Sequence, residues 1–196
     1  SSSFGYFGGG NPGHISTVDR LDFANDTSTA AVKGSLTIPR QRLGSVSAKA
    51  NALPSQGSFI PRIRWVDSVA ETPSTIPNNA YHGGGKDSPG NVSTTQRIDY
   101  ANDTATAVVK GPLTSAKKYL GAFSSSSHGY FNQGQEGPSS PSGLTSVTDR
   151  LDYSNDTTAA VTRGNSPVVR YANAGVNNST YGWVVGGNPG YGVVYR

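Results

Sequence analysis

Arg20, Arg97 and Arg150 each stand two residues before an aspartate, Asp22, Asp99 and Asp152, inside three nearly identical octapeptides. These are RLDFANDT at residues 20–27, RIDYANDT at 97–104 and RLDYSNDT at 150–157. An arginine and a carboxylate two positions apart on a strand share one face, because side chains alternate with period two. If neighbouring structure covers that face the charges must be paired, which predicts an Arg–Asp ladder between adjacent units. Loss of one partner from such a pair would cost about 3–5 kcal/mol. A catalytic role would instead need a nucleophile, a base and an orienting acid that recur together, and none do.

Other residues able to do chemistry are scattered. His14, His82 and His128 fall in different parts of the repeats, and no two have zinc-ligand spacing. Asp19, Asp22 and Asp26 offer oxygens for a calcium cage, but Asp19 and Asp22 point to opposite faces of one strand. Glycine-rich stretches (GYFGGG at 5–10, AYHGGG at 80–85, GYFNQG at 129–134) precede the octapeptides. A phosphate cradle would need a helix behind the glycines, whereas a strand follows here. The glycines therefore read as positions of unusual backbone angle or close strand approach. No cysteine is present, which excludes disulfides, thiolate metal sites and a cysteine nucleophile. No catalytic residue, metal or cofactor is expected, and the chain is not expected to be an enzyme.

The elements that position these residues follow from the spacing. The second octapeptide lies 77 residues after the first and the third 53 after the second. Self-similarity at about 50 residues points to a solenoid, a propeller or an array. Each unit reads as four strands: an a–b hairpin, a variable loop, strand c ending at the octapeptide's aspartate and aromatic residue, an Asn-Asp turn, and strand d. In the third octapeptide's unit these are residues 120–126, 129–131, 148–153 and 157–162. The predicted units are 1–42, 43–79, 80–118, 119–170 and a partial 171–196. The second is degenerate, with Ala52-Leu53-Pro54 where an aromatic strand would stand and Asp67 as the matching acid. Pro54, Pro61, Pro73 and Pro77 argue against a regular central sheet there.

The 196 residues suffice for one core, and 25 Gly and 12 Pro suit short strands and turns. No apolar run of 18 residues occurs, so no membrane span is expected. The net charge of +4 is spread through the repeats and reads as a solvated surface with no nucleic-acid stripe. The chain begins Ser1-Ser2-Ser3 and has no methionine, as expected of a processed product or a piece of a longer protein. Asn25, Asn102, Asn155, Asn91 and Asn178 head glycosylation sequons that matter only on a secretory route; turn chemistry accounts for the first three.

The order of landmarks resembles the kelch repeat: Gly-Gly after an aromatic strand (Gly9-Gly10, Gly84-Gly85, Gly186-Gly187), a variable loop, a strand ending in Asp and an aromatic residue, a fourth strand, then a basic residue (Arg40, Lys117, Arg170). The fourth-strand Trp usual in kelch units is missing, which implies packing by smaller residues. The absence of cysteine excludes the copper-radical oxidases built on such propellers. Residues 5–10, 16–27 and 110–113 also resemble repeat arrays of marine phage virion and tail proteins. These likenesses imply an all-β propeller of about four blades, in a virion or on an extracellular surface, whose partners are other virion proteins, copies of itself or a host-surface glycan. A self-assembling architectural protein and a cellular kelch-type adaptor are the competing expectations. Function on a repeat scaffold tends to sit where units diverge, here loops 11–15, 86–91 and 135–145. His14, Lys86, Gln135, Trp183 and Tyr191 are the expected ligand contacts, since aromatic and amide groups suit a sugar.

Overall fold

The computed structural model describes residues 4–47, 78–88, 90–137, 143–178, 180–190 and 194–195. Its strands are short, with turn-formers between them, and all pair antiparallel with their sequence neighbours. The first sheet contains β1 (Phe4–Gly8), β2 (Val18–Asp22) and β3 (Ala31–Lys33). The second contains β4 (Gly44–Ser47), β5 (Asn79–Gly83), β6 (Thr95–Asp99) and β7 (Val108–Lys110). The third contains β8 (Gly121–Ser124), β9 (His128–Asn132), β10 (Thr148–Asp152) and β11 (Val161–Arg163). The fourth contains β12 (Ala174–Asn177), β13 (Gly182–Val185) and β14 (Val194–Tyr195). The protein is all-β, and the described strands close into no barrel or ring. No helix among the described residues is long and apolar enough to cross a membrane.

The sheets differ from the expected units in one place. β4, expected to open a degenerate second unit, is bonded in register to β5, with Gly44 opposite Gly83 and Ser47 opposite Ala80. The strands of predicted units 43–79 and 80–118 thus share one sheet. Residues 52–54 and Asp67 lie outside the described residues. Strand d also starts later than expected, because the Asn-Asp-Thr turn runs on: Thr158 N–H reaches Asn155 O at 3.3 Å before β11 begins.

Successive sheets pack face to face, and the core lies between them. Val18, Leu36, Ala80, Ile98 and Ala107, with Tyr6, Leu43 and Tyr100 against them, fill the space between the first two sheets. Val46, Tyr81, Leu113, Leu120, Phe131, Leu151, Tyr153 and Ala160 fill the next. A strand held between two units is covered on both faces, which explains why four of the five residues of β5 are buried without alternation. Large rings enter these layers as well as small residues: Tyr6 stacks on Tyr100 at 4.8 Å and Tyr81 on Tyr153 at 5.1 Å.

Backbone bonds tie the units directly. The residue two before each a strand donates to its counterpart one unit earlier, Tyr119 N to Arg42 O and Ala172 N to Tyr119 O, both at 2.8 Å. Arg42, Tyr119 and Ala172 all have φ near +60° at this step (60°, 59° and 55°). After strand d, Gly34 N bonds Asp103 O at 2.7 Å and Gly111 N bonds Asp156 O at 2.8 Å. A Cβ at Gly111 would overlap the Thr158 carbonyl, so this approach requires glycine. The first glycine of each Gly-Gly pair takes positive φ (71°, 64° and 69° at Gly9, Gly84 and Gly186), and Gln133 holds that place in the third sheet at 56°.

Candidate functional site

Two of the three repeated arginines, Arg20 and Arg97, pair with aspartates, but not those two residues away. Arg20 Nη1 is 2.7 Å from Asp103 Oδ2, and Arg97 Nη1 is 2.8 Å from Asp156 Oδ2. The carboxylates come from the Asn-Asp-Thr turn of the following unit. Asp22, Asp99 and Asp152 cap their own turns, each accepting the backbone N–H two residues on, from Ala24, Ala101 and Ser154 at 2.8–2.9 Å. The expected ladder between units thus forms at two seams, but Asp22, Asp99 and Asp152 are not its acids. Asp99 and Asp152 are the β-conformation residues that open a short 3-10 turn, and their side chains are taken up by capping it.

Three donors converge on each seam carboxylate. Tyr6 Oη donates to Asp103 Oδ2 at 2.9 Å and Lys33 Nζ lies 3.6 Å from Oδ1. At the second seam Tyr81 Oη is 2.8 Å from Asp156 Oδ2 and Lys110 Nζ is 3.0 Å from Oδ1. Strand register explains the convergence: Tyr6 sits opposite Arg20 and Tyr81 opposite Arg97, so phenol and guanidinium leave the sheet side by side. Burial alone would raise the Asp103 carboxyl. The bonds from Tyr6 and Arg20, with the charges of Arg20 and Lys33, outweigh it and hold the group below its ordinary range. Asp156 is lowered in the same way by Lys110, Tyr81 and Arg97. Burial, reinforced by Asp103, pushes the Tyr6 phenol up to about 12.

The set is incomplete at the outer face of the first unit and where the third sheet meets the fourth. Asp26 is the first unit's counterpart of Asp103 and Asp156; it is exposed and makes no ion pair among the described residues. Phe23, in the place of Tyr100 and Tyr153, is 55% exposed, and Phe7, in the place of His82 and Phe131, is 62% exposed. In the third unit Tyr130 stacks on Phe123 at 5.1 Å, and Arg150 meets no carboxylate among the described residues. The space that Thr158 fills beside Gly111 is open beside Gly164.

The expected ligand contacts divide into two groups. His14 Nε2 lies 3.3 Å from Gln41 Nε2, and Gln41 exchanges backbone bonds with Lys86, so His14 and Lys86 share one edge of the stack. Lys86 also lines an open cleft of about 390 Å³ with Asn91, Lys118 and Glu136, between loops of the second and third units. Gln135 is buried beside it and contributes its carbonyl, which takes a bond from Asn91 Nδ2 at 2.9 Å. Trp183 is absent from that cleft; it occupies the tyrosine place of strand b, opposite Val176. Tyr191 lies outside the described residues.

Sequence reasoning missed the seam aspartates Asp103 and Asp156, and the signal was present: each octapeptide carries a second acid, and only its place in the turn reaches the preceding unit. It also missed a pair with both side chains at 0% exposure, Lys117 Nζ 2.9 Å from Asp149 Oδ2, which gives the basic residue after strand d a role inside the next unit. Among the described residues no cluster of three or more His, Asp or Glu could hold a metal. The chain matches no protein-family model and no curated protein.

Proposed function

We propose that this chain is a non-enzymatic structural repeat protein whose units are built to adhere to one another, working in a virion or on an extracellular surface. The observation that carries this reading is the seam: Tyr, Arg and Lys of one unit on one aspartate of the next, made twice, with Asp26 bare on the first unit and Tyr130 and Arg150 without a seam aspartate where the fourth sheet meets the third. Such a device joins units and offers no reacting group. The a strands abut through backbone bonds while the d strands expose Val32, Val108, Val109 and Val161, the taper expected of propeller blades. The virion assignment rests on the likeness of residues 5–10, 16–27 and 110–113 to phage repeat arrays.

The cleft beside Lys86 supports a second role in the same setting, attachment to a host-surface glycan, since it offers an ammonium, an amide and a carboxylate on an open rim. Light scattering of the 20.3 kDa chain, with and without Asp26→Lys, tests the structural reading. Concentration-dependent multiples that the substitution abolishes are the expected result. A monomer at every concentration would sink it and leave glycan binding as the reading to pursue.

A further inference from the structure

The second sheet buries a cation that makes no ion pair among the described residues. Arg40, 0% exposed, reaches from the end of the first unit into the second, where Nη1 donates to Gly84 O and Thr94 O, both at 3.0 Å. Its Nε and Nη2 are buried without a partner. His82 and Gln96 face each other across β5 and β6, and both are fully covered. His82 Nδ1 is 2.6 Å from Ser45 Oγ, and Gln96 Oε1 accepts Thr37 N–H at 2.8 Å. Each bond occupies one end of its side chain and leaves the other, His82 Nε2 and Gln96 Nε2, without a partner. We assign the Ser45 hydroxyl as donor to Nδ1, which puts the imidazole proton on Nε2. The cluster then holds four unsatisfied nitrogens, all donors, two of them on the guanidinium itself. Buried donors left unmatched are costly, and a buried charge without an opposite is more so.

The third unit shows what belongs there. Lys117 occupies the place of Arg40, Phe131 that of His82 and Asp149 that of Gln96, and Lys117 Nζ pairs with Asp149 Oδ2 at 2.9 Å. The fixed end of the side chain is handled alike: Thr114 Oγ1 binds Asp149 Oδ1 at 2.5 Å, as Thr37 N binds Gln96 Oε1. One substitution in the repeat, carboxylate to amide, thus removes a negative charge and leaves a buried amide nitrogen without a partner. The one acid whose charge acts on Arg40, Asp87, forms no ion pair with it among the described residues. Burial pushes the guanidinium downward, and it also depresses His82, to about 4, so the imidazole is neutral.

We propose that Arg40, His82 and Gln96 enclose a small monovalent anion of halide size, the counter-ion that Asp149 supplies covalently in the third unit. The unsatisfied nitrogens of Arg40, His82 and Gln96 are donors, which suit an anion and not a metal ion. The test uses thermal unfolding of the whole chain at constant ionic strength, exchanging sodium gluconate for sodium chloride, so that screening is held fixed. The expected midpoint rises by roughly 3–6 °C between 10 and 300 mM chloride, as for a ligand bound by the native state alone. Gln96→Asp, which installs the third unit's carboxylate, should abolish that dependence. Crystals grown in bromide test the site without any variant: an anomalous peak within hydrogen-bond distance of Arg40 Nη2 is expected. A midpoint indifferent to chloride, or bromide absent from Arg40, would overturn the proposal and give the place to water.

Discussion

Asp26, Asp103 and Asp156 are the same residue of the same octapeptide, yet their surroundings give them different work. Asp156, 7% exposed, takes bonds or charge from Tyr81, Arg97 and Lys110, whereas Asp26 lies open to solvent. Asp156→Ala would leave a guanidinium, an ammonium and a phenol facing a void. Its expected cost is about 3 kcal/mol. Asp26→Ala removes a solvated charge from the monomer and should shift stability by under about 0.5 kcal/mol. Urea unfolding of both variants checks the contrast; equal losses would mean that the seam carboxylate is not what holds the units together. At this scale the sequence announced the charged residues but not their partners. Period two placed Arg97 and Asp99 on one face, and nothing local indicated that Asp99 would be spent on Ala101 N–H while Asp156, 59 residues away, received the arginine.

Strands of two to five residues cannot hold a sheet by their own pairing, so each element depends on how closely the next unit approaches. The glycine after strand d sets that distance. A methyl group at Gly111 would collide with the Thr158 carbonyl, and backbone cannot swing aside as a side chain can. Gly111→Ala is expected to cost about 2–3 kcal/mol by forcing the second and third units apart. Gly164→Ala, the same substitution one unit later, meets nothing within 4 Å and should be neutral or slightly stabilising, since alanine narrows the unfolded ensemble. Thermal midpoints of the two variants decide the matter, and parallel losses would show that glycine is required by its own backbone and not by the neighbour. Strands b and c were legible from their aromatic and Arg-Asp signatures. The pairing of β4 with β5 was not, because 31 residues part Ser47 from Asn79 and the strand signal of GSVS is no stronger than that of its surroundings.

Across the whole molecule the units form a short one-dimensional stack, whose stability is approximately the sum of its units and of the seams between them. The two inner sheets are each covered on both sides: β5, β6, β9 and β10 are mostly buried. The outer sheets are covered on one side, and the difference is visible strand by strand, since β1 has no buried residue and β12 none. The seam between the third and fourth sheets also lacks the carboxylate that anchors the other two, as Arg150 shows with its Nε buried and unpartnered. Opening should therefore start at the ends. Amides of β5, β6, β9 and β10 are expected to exchange at least about tenfold more slowly than those of β1, β2, β12 and β13, measured by native-state hydrogen exchange on the full chain. The sign of the gradient is what matters. If all four sheets exchange together, the stack opens as one cooperative body, and faces such as Phe7 and Phe23 are covered in solution by something that binds them. If the gradient appears, adding chain should erase it at the first sheet wherever Asp26 finds its arginine, so protection of β1 and β2 that grows with concentration would trace self-association to that face.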